Sequence, residues 1–321
     1  MPDESPPLDV AVEHVRNGDS TTRVTRVSTT SSGSTRPFVL VAGIGVASTY
    51  FELLAPTLAL REDVYALDMP GFAGMSRAHE EPTIEYFADQ VEAVLDRYHL
   101  QNPVLIGHSM GSQVVTEVLI RRPELTHAIL VSPVINEAEA GAFTQAVRFI
   151  QSALHETIHL AVIAVSAYLL CGTVYFLSVL PHMLRYRISD RVHHVSAELL
   201  LIRGEFDRSS PRRFHSRLVA RARDARRWEI EGAAHSIIHG HAVGVAKLAQ
   251  RHVDGEVAAR GRMSNEEAEV PPARHRDVRM LLGATLTRAM EWVYALRRDE
   301  EGVAHAKREH ARILWRAYAP R

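Results

Sequence analysis

Residues 103–111, Pro-Val-Leu-Ile-Gly-His-Ser-Met-Gly, decide how this chain is read. Val104-Leu105-Ile106 is a short apolar run of the kind that forms a buried parallel strand. Gly107-His108-Ser109-Met110-Gly111 is a G-x-S-x-G string, and QVVTEVLIRR after it has helical spacing. The string carries weight because it closes a strand and opens a helix. Gly107 and Gly111 let the backbone turn without Cβ clashes, so that Oγ of Ser109 stands clear above the sheet. The amide N–H of Met110, at the helix start, then points where an oxyanion would form. A passive serine in a glycine-rich turn is the bland alternative, and the strand–turn–helix context disfavours it.

Outward from this stretch the pattern repeats. FVLVAG from Phe38, VYALDMPG, HAILVSPV, ELLLIRGEFD and RWEIEGAAH read as short strands, with helical runs between them. Such alternation predicts an α/β fold with a mostly parallel central sheet flanked by helices. The spacing divides the chain into a polar N-terminal tail (1–19), a core (20–136 and 191–253), a helical insertion (137–190), a linker (254–273) and a C-terminal helical extension (274–321). Val24 and Val27 suggest an edge strand. In the extension Val278, Leu282, Leu286, Met290, Val293 and Leu296 share one helical face, which must be covered by the body, a second copy or another protein.

Composition narrows the function. Among 321 residues, 46% are hydrophobic, and 37 Lys and Arg oppose 38 Asp and Glu, a net charge of −1. That balance supplies no field for a phosphate-driven partner, so nucleic acid is not expected. Cys171 is the single cysteine, which excludes an internal disulfide and any multi-cysteine metal site. The N-terminus, MPDESPPLDV, lacks an apolar signal region, and a cytoplasmic location is the default expectation.

A nucleophilic serine needs a base, and the base an orienting acid. Asp207 follows the strand LLLIRG, and His235 follows the last strand in EGAAHS. The order Ser, Asp, His puts all three at the carboxyl edge of one sheet. Glu205 is a close rival for the acid and Glu137 a more distant one, while His239 and His241 read as solvated or structural.

Four pieces, VLVAGIG, LDMPGFAGMS, IGHSMG and IRGEFD…GAAHS, stand in the order of the α/β-hydrolase fold family, which residues 20–253 resemble. The resemblance implies a second oxyanion N–H at Ile44, and a helical cap over the site in place of the insertion. It also implies serine chemistry without metal or organic cofactor. Many members carry His-Gly where this chain has Ala42-Gly43, which bears on loop geometry and substrate preference. Relatives that are haloalkane dehalogenases or epoxide hydrolases use an aspartate nucleophile, and Ser109 argues against both.

Two competing motifs remain. Gly43-Ile44-Gly45 after a strand, with Asp68 ending the next, is reminiscent of a dinucleotide site, but Ser48 stands where the third glycine belongs. Between Glu156 and Arg185 no charged residue occurs, and IHLAVIAVSAYLLCGTVYFLSVL is long enough to cross a bilayer. A span there would part Ser109 from Asp207 and His235, so the stretch is expected as an apolar cap, broken near Cys171-Gly172 or Pro181. The arginines from Arg203 to Arg227 read as a solvated helix face rather than an anion site.

The expectation is a serine hydrolase of esterase or lipase type. Ser109 is the nucleophile, His235 the base and Asp207 its orienting acid, with Ile44 and Met110 amides as oxyanion donors. The substrate is an ester, lactone or thioester of a lipophilic small molecule. The alternatives are a cofactor-free acyltransferase or carbon–carbon bond hydrolase, and a non-catalytic ligand-binding protein. Peripheral membrane contact through the cap and homo-oligomerisation through the C-terminal helices are the partner expectations.

Overall fold

A computed structural model of the chain describes residues 6–30, 35–77, 79–156, 158–273 and 278–319. The start of the expected N-terminal tail, residues 31–34 and residues 274–277 lie outside them, as does the Val278 side chain.

β1 (Leu8–Asn17) and β2 (Ser20–Thr29) form an antiparallel hairpin. Most of the expected polar tail is therefore an edge strand of the sheet. β3 (Phe38–Val41), α1 (Leu54–Leu58), β4 (Val64–Asp68), α2 (Ile84–Arg97), β5 (Val104–His108), α3 (Met110–Arg121) and β6 (His127–Val131) follow the expected alternation. The insertion holds α4 (Ala142–Ala153), α5 (Ile158–Cys171), α6 (Thr173–Arg185) and α7 (Ile188–Arg191). β7 (Glu198–Gly204), α8 (Arg212–Arg221), β8 (Ala225–Ile230), α9 (Ile237–Gly240) and α10 (Ala242–Val253) resume the alternation. Within the expected linker the chain adds β9 (Arg260–Met263) and α11 (Asn265–Ala268), then ends in a hairpin of α12 (Val278–Arg297) and α13 (Glu300–Tyr318).

The nine strands make one sheet in the order β1-β2-β4-β3-β5-β6-β7-β8-β9, parallel from β4 to β9. Alternate strand residues feed two apolar clusters, one on each face. Val39, Leu67, Leu105 and Leu130 pack under α2, α3 and α8, whereas Leu40, Ala66, Ile106 and Ile129 pack under α1 and α10. Burial on both faces is why the central strands are continuous apolar runs.

α5 and α6 meet at a 97° bend. Gly172 sits at the break with φ +78°, a conformation that a side chain disfavours. Among the described residues no single helix is long and apolar enough to cross a membrane.

The C-terminal hairpin packs on β1 and on α5. Its buried side chains include charged groups, Arg288, Glu291, Lys307 and His310, beside apolar ones such as Val303 and Trp315. The charged groups join Glu52, Asp68 and Ser48 of the body in one ionic network. The apolar stripe of α12 points the other way, with Leu282 64%, Leu286 61% and Leu296 72% exposed. The body does not cover that stripe.

Candidate active site

β4 and β5 lie on opposite sides of β3, so the winding of the sheet reverses there. In open α/β sheets the crevice at the carboxyl ends of the strands at that reversal receives ligands. The loop after β3 brings Gly43 and Ile44 to it, and the turn after β5 brings Ser109.

Ser109 caps α3 with φ +55° and ψ −121°, a strained conformation for a residue with a Cβ. Close packing of the two glycines holds it there. A Cβ at Gly107 would fall 2.4 Å from the Gly111 carbonyl oxygen, and one at Gly111 would fall 2.1 Å from that of Val41. His108 and Met110 are buried while Ser109 stays partly exposed. A Cβ at Gly43 would stand 3.0 Å from Cβ of Ser109, so the Ile44 loop runs directly against the serine. Met110 opens α3, where the first backbone N–H groups lack partners within the helix.

Nδ1 of His235 lies 3.1 and 3.0 Å from the two carboxylate oxygens of Asp207. A carboxylate only accepts, so Nδ1 carries the proton and Nε2 is left as the acceptor. Both side chains are buried. Burial by itself opposes charge on His235, but Asp207 outweighs it and raises the imidazole pKa above its usual value. Burial would raise Asp207 as well, yet His235 and the Ser210 N–H, 3.0 Å from Oδ1, hold it well below the carboxylate range. The rivals are elsewhere. Glu205 pairs with Arg262 and accepts from the Gly232 N–H, and Glu137 accepts from Ser189. His239 and His241 bond Glu52 and Asn265.

Ser109 and His235 open into a cavity of about 260 Å³. Its walls are mostly apolar: Ile44, Val46, Val134 and Ile135 from the body, and Phe149, Ile150, Tyr168, Phe176, Leu180 and Met183 from the inserted helices. Leu169 does not join this wall and is 75% exposed on the outer side of α5. The residue points away because α5 is apolar all round and only one of its faces can meet the cavity.

Three contributors had no distinguishing signal in the sequence. The buried His108 donates from Nε2 to the His235 carbonyl at 3.0 Å, and burial, with His235 nearby, lowers its pKa to about 3. Arg203 is no part of a solvated face: it donates to the carbonyls of Ser210 (2.9 Å) and Asp207 (2.8 Å) and pins the acid's turn. Glu156 accepts from the Ser236 N–H at 2.8 Å, and its pKa is raised, chiefly by burial. Each acts through a tertiary contact.

The dinucleotide reading fails on geometry. Asp68 is fully buried, bound to Arg23 (3.0 Å) and to the Ser48 N–H (2.6 Å). A Cβ at Gly45 would meet the Tyr168 and Phe176 rings at 3.0 and 3.2 Å, so aromatic side chains occupy the space a pyrophosphate would need. Among the described residues no three His, Cys, Asp or Glu side chains converge to hold a metal.

The sequence profile of the alpha/beta hydrolase family matches residues 38–248, most of the chain and all of the parallel core up to α10. The chain belongs to the alpha/beta hydrolase family. A 1-acylglycerol-3-phosphate O-acyltransferase of Arabidopsis thaliana is 34% identical over 110 residues, covering 32% of this chain and 26% of that one. A pimeloyl-[acyl-carrier protein] methyl ester esterase of Aeromonas hydrophila is 30% identical over 106 residues, covering 32% and 40%. This hydrolase therefore aligns with well under half the length of either relative. Among solved structures, a 2-hydroxy-6-oxo-6-phenylhexa-2,4-dienoate hydrolase of Rhodococcus superposes with a TM-score of 0.64 at 15% identity. It covers 77% of this chain and 100% of its own. An esterase of Thermogutta terrifontis gives 0.61 at 17%, covering 78% and 100%. At such identities the likeness is one of fold. Both structural matches leave roughly a fifth of this alpha/beta hydrolase unmatched.

Proposed function

We propose that this alpha/beta hydrolase is a serine esterase that cleaves a carboxylic ester, lactone or thioester of a lipophilic substrate. The observation that carries the reading is the buried Asp207–His235 pair facing the same apolar cavity as the strained Ser109. Oγ of Ser109 attacks the carbonyl carbon and passes its proton to Nε2 of His235. Asp207 holds the tautomer and stabilises the imidazolium. The Ile44 and Met110 amides take the oxyanion, each worth about 3 kcal/mol of transition-state stabilisation. Collapse of the tetrahedral intermediate expels the alcohol or thiol, to which His235 returns the proton. A water, activated by the same imidazole, then releases the acid and frees Ser109. The helices bearing Phe149, Tyr168 and Leu180 act as the cap, and their apolar surface selects the acyl group.

A second reading is acyl transfer to an acceptor other than water, favoured by the likeness to an acyltransferase. The first half-reaction is unchanged and only the deacylating nucleophile differs.

A fluorophosphonate probe tests the serine chemistry: it should label the wild type and spare Ser109→Ala. A folded wild-type protein that is not labelled refutes the enzyme and leaves a binding pocket. Turnover of p-nitrophenyl esters of increasing chain length, with and without a lysophospholipid acceptor, then separates hydrolysis from transfer.

A further inference from the structure

α12 is amphipathic in the wrong sense for a helix that packs on a protein body. It buries Arg288 and Glu291 and presents Leu281, Leu282, Leu286, Val293 and Leu296 outward. The packed neighbour α5 is exposed at Val162, Val165 and Leu169, and α6 at Val174 and Leu177. The ring of Phe149, on α4, meets Tyr168 of α5 at 6.5 Å between centroids, joining α4 to the same face. The described parts of α5 and α6 carry no acidic residue and one arginine, Arg185, at the very end of α6. Together these packed helices group their exposed apolar residues instead of scattering them over the surface.

We infer that this face docks on the surface of a phospholipid bilayer containing anionic headgroups. Charge at its edges sets the occupant. Exposed arginines stand where the apolar helices end or break: Arg279 and Arg297 at the two ends of α12 with Arg298 beyond, Arg185 ending α6, and Arg77 beside Gly172 at the α5–α6 bend. Of the acidic residues near those ends, Asp299 caps α13 through the Gly302 N–H and Glu81 pairs with His182, while Glu80 and Glu301 are exposed. An aliphatic patch rimmed by arginine matches acyl chains beneath anionic headgroups, with guanidinium groups reaching up to the phosphates. The cavity opens on this face, because Phe149 and Ile150 line it and are also 39% and 59% exposed. On the reading of the cavity as an esterase site, a lipid acyl group passes from bilayer to Ser109 without crossing water. A second copy or a protein partner seated there would close that route.

The experiment is flotation of the full chain with phosphatidylcholine vesicles, with and without phosphatidylglycerol. Ser109→Ala is carried alongside, so that docking is read independently of catalysis. The wild type and Ser109→Ala should float equally with the anionic vesicles, and less with phosphatidylcholine alone or at high salt. Leu286→Asp and Leu282→Asp should each weaken binding about tenfold or more, and Arg297→Glu by roughly fivefold or more. None of the three touches the cavity, so hydrolysis of a short soluble ester should stay at the wild-type rate, which also certifies folding. Failure to float on any vesicle overturns the docking proposal while short-ester turnover still stands. A concentration-dependent dimer that Leu286→Asp dissolves, without vesicle binding, overturns it in favour of a copy interface.

Discussion

Nζ of Lys307, on the last helix, lies 3.3 Å from Oδ2 of Asp68, at the carboxyl end of β4, and both side chains are almost wholly buried. The pair ties the C-terminal hairpin to the centre of the sheet. Arg23 from β2 reaches the same carboxylate, and Glu291 of α12 lies 3.2 Å from the same ammonium. Charges this deep hold only as a complete set, since each is compensated by the others rather than by water.

Lys307→Met should therefore destabilise the protein by about 3 kcal/mol, because it leaves Asp68 and Glu291 with one fewer cation in a dry site. Urea unfolding monitored by Trp292 and Trp315, both on the hairpin, measures it. Loss below about 0.5 kcal/mol would show that the network is decorative.

Acid should release the same clamp. Burial would raise Asp68, but Lys307 and Arg23 outweigh it and bring its pKa down to about 2. A depressed carboxylate stabilises fully above its unfolded value, about 3.9, and that stability is lost as pH falls through the folded value. The hairpin is expected to loosen between about pH 4 and pH 2, where Glu300, also held at about 2 against burial by His14 and Arg23, titrates too. Tryptophan emission unchanged across that window would count against the assignment.

Asp207→Asn should do more than slow the reaction. Asp207 is what raises His235 against burial, so the wild-type acid limb of kcat/KM should lie above the ordinary imidazole value of about 6.5. Without the carboxylate that limb moves to lower pH, and kcat falls about 10⁴-fold. A pH–rate profile in which the rate falls but the limb stays put would show that another group is the base.

Gly43→Ala probes the loop facing Ser109. The new methyl would sit 3.0 Å from Cβ and 3.4 Å from Oγ of the serine, tight enough to shift one of them by a few tenths of an ångström. Turnover should drop roughly tenfold or more while the melting temperature moves little, since displacement of the reacting atoms costs rate before it costs stability. Thermal unfolding and kcat on a short ester separate the two.

Chain-length preference should follow the cavity wall rather than the outer face. Leu180→Asp puts a charge into the cavity and should depress long-chain turnover at least tenfold relative to short-chain turnover. Leu169→Asp, on the exposed side of α5, should leave the chain-length ratio on soluble esters unchanged. Equal ratios for both variants would place the acyl group elsewhere.

The sequence alone determined what local rules can reach. Buried strands announce themselves as apolar runs, and a strand–glycine–serine–glycine–helix turn is a backbone constraint written in adjacent residues. Chain order then placed Asp207 and His235 at the ends of successive strands. A network assembled from distant residues leaves no such trace. That His108 steadies His235, that Arg203 pins the acid's turn, and that Lys307 meets Asp68 across 238 intervening positions follow only from the tertiary contacts. The stripe on α12 shows the same limit. Periodicity marks an apolar face but not which way it points, because that depends on what the opposite face can pair with. Here the body offers Glu52 and Asp68, so the charges of the hairpin turn inward and the leucines are left facing out.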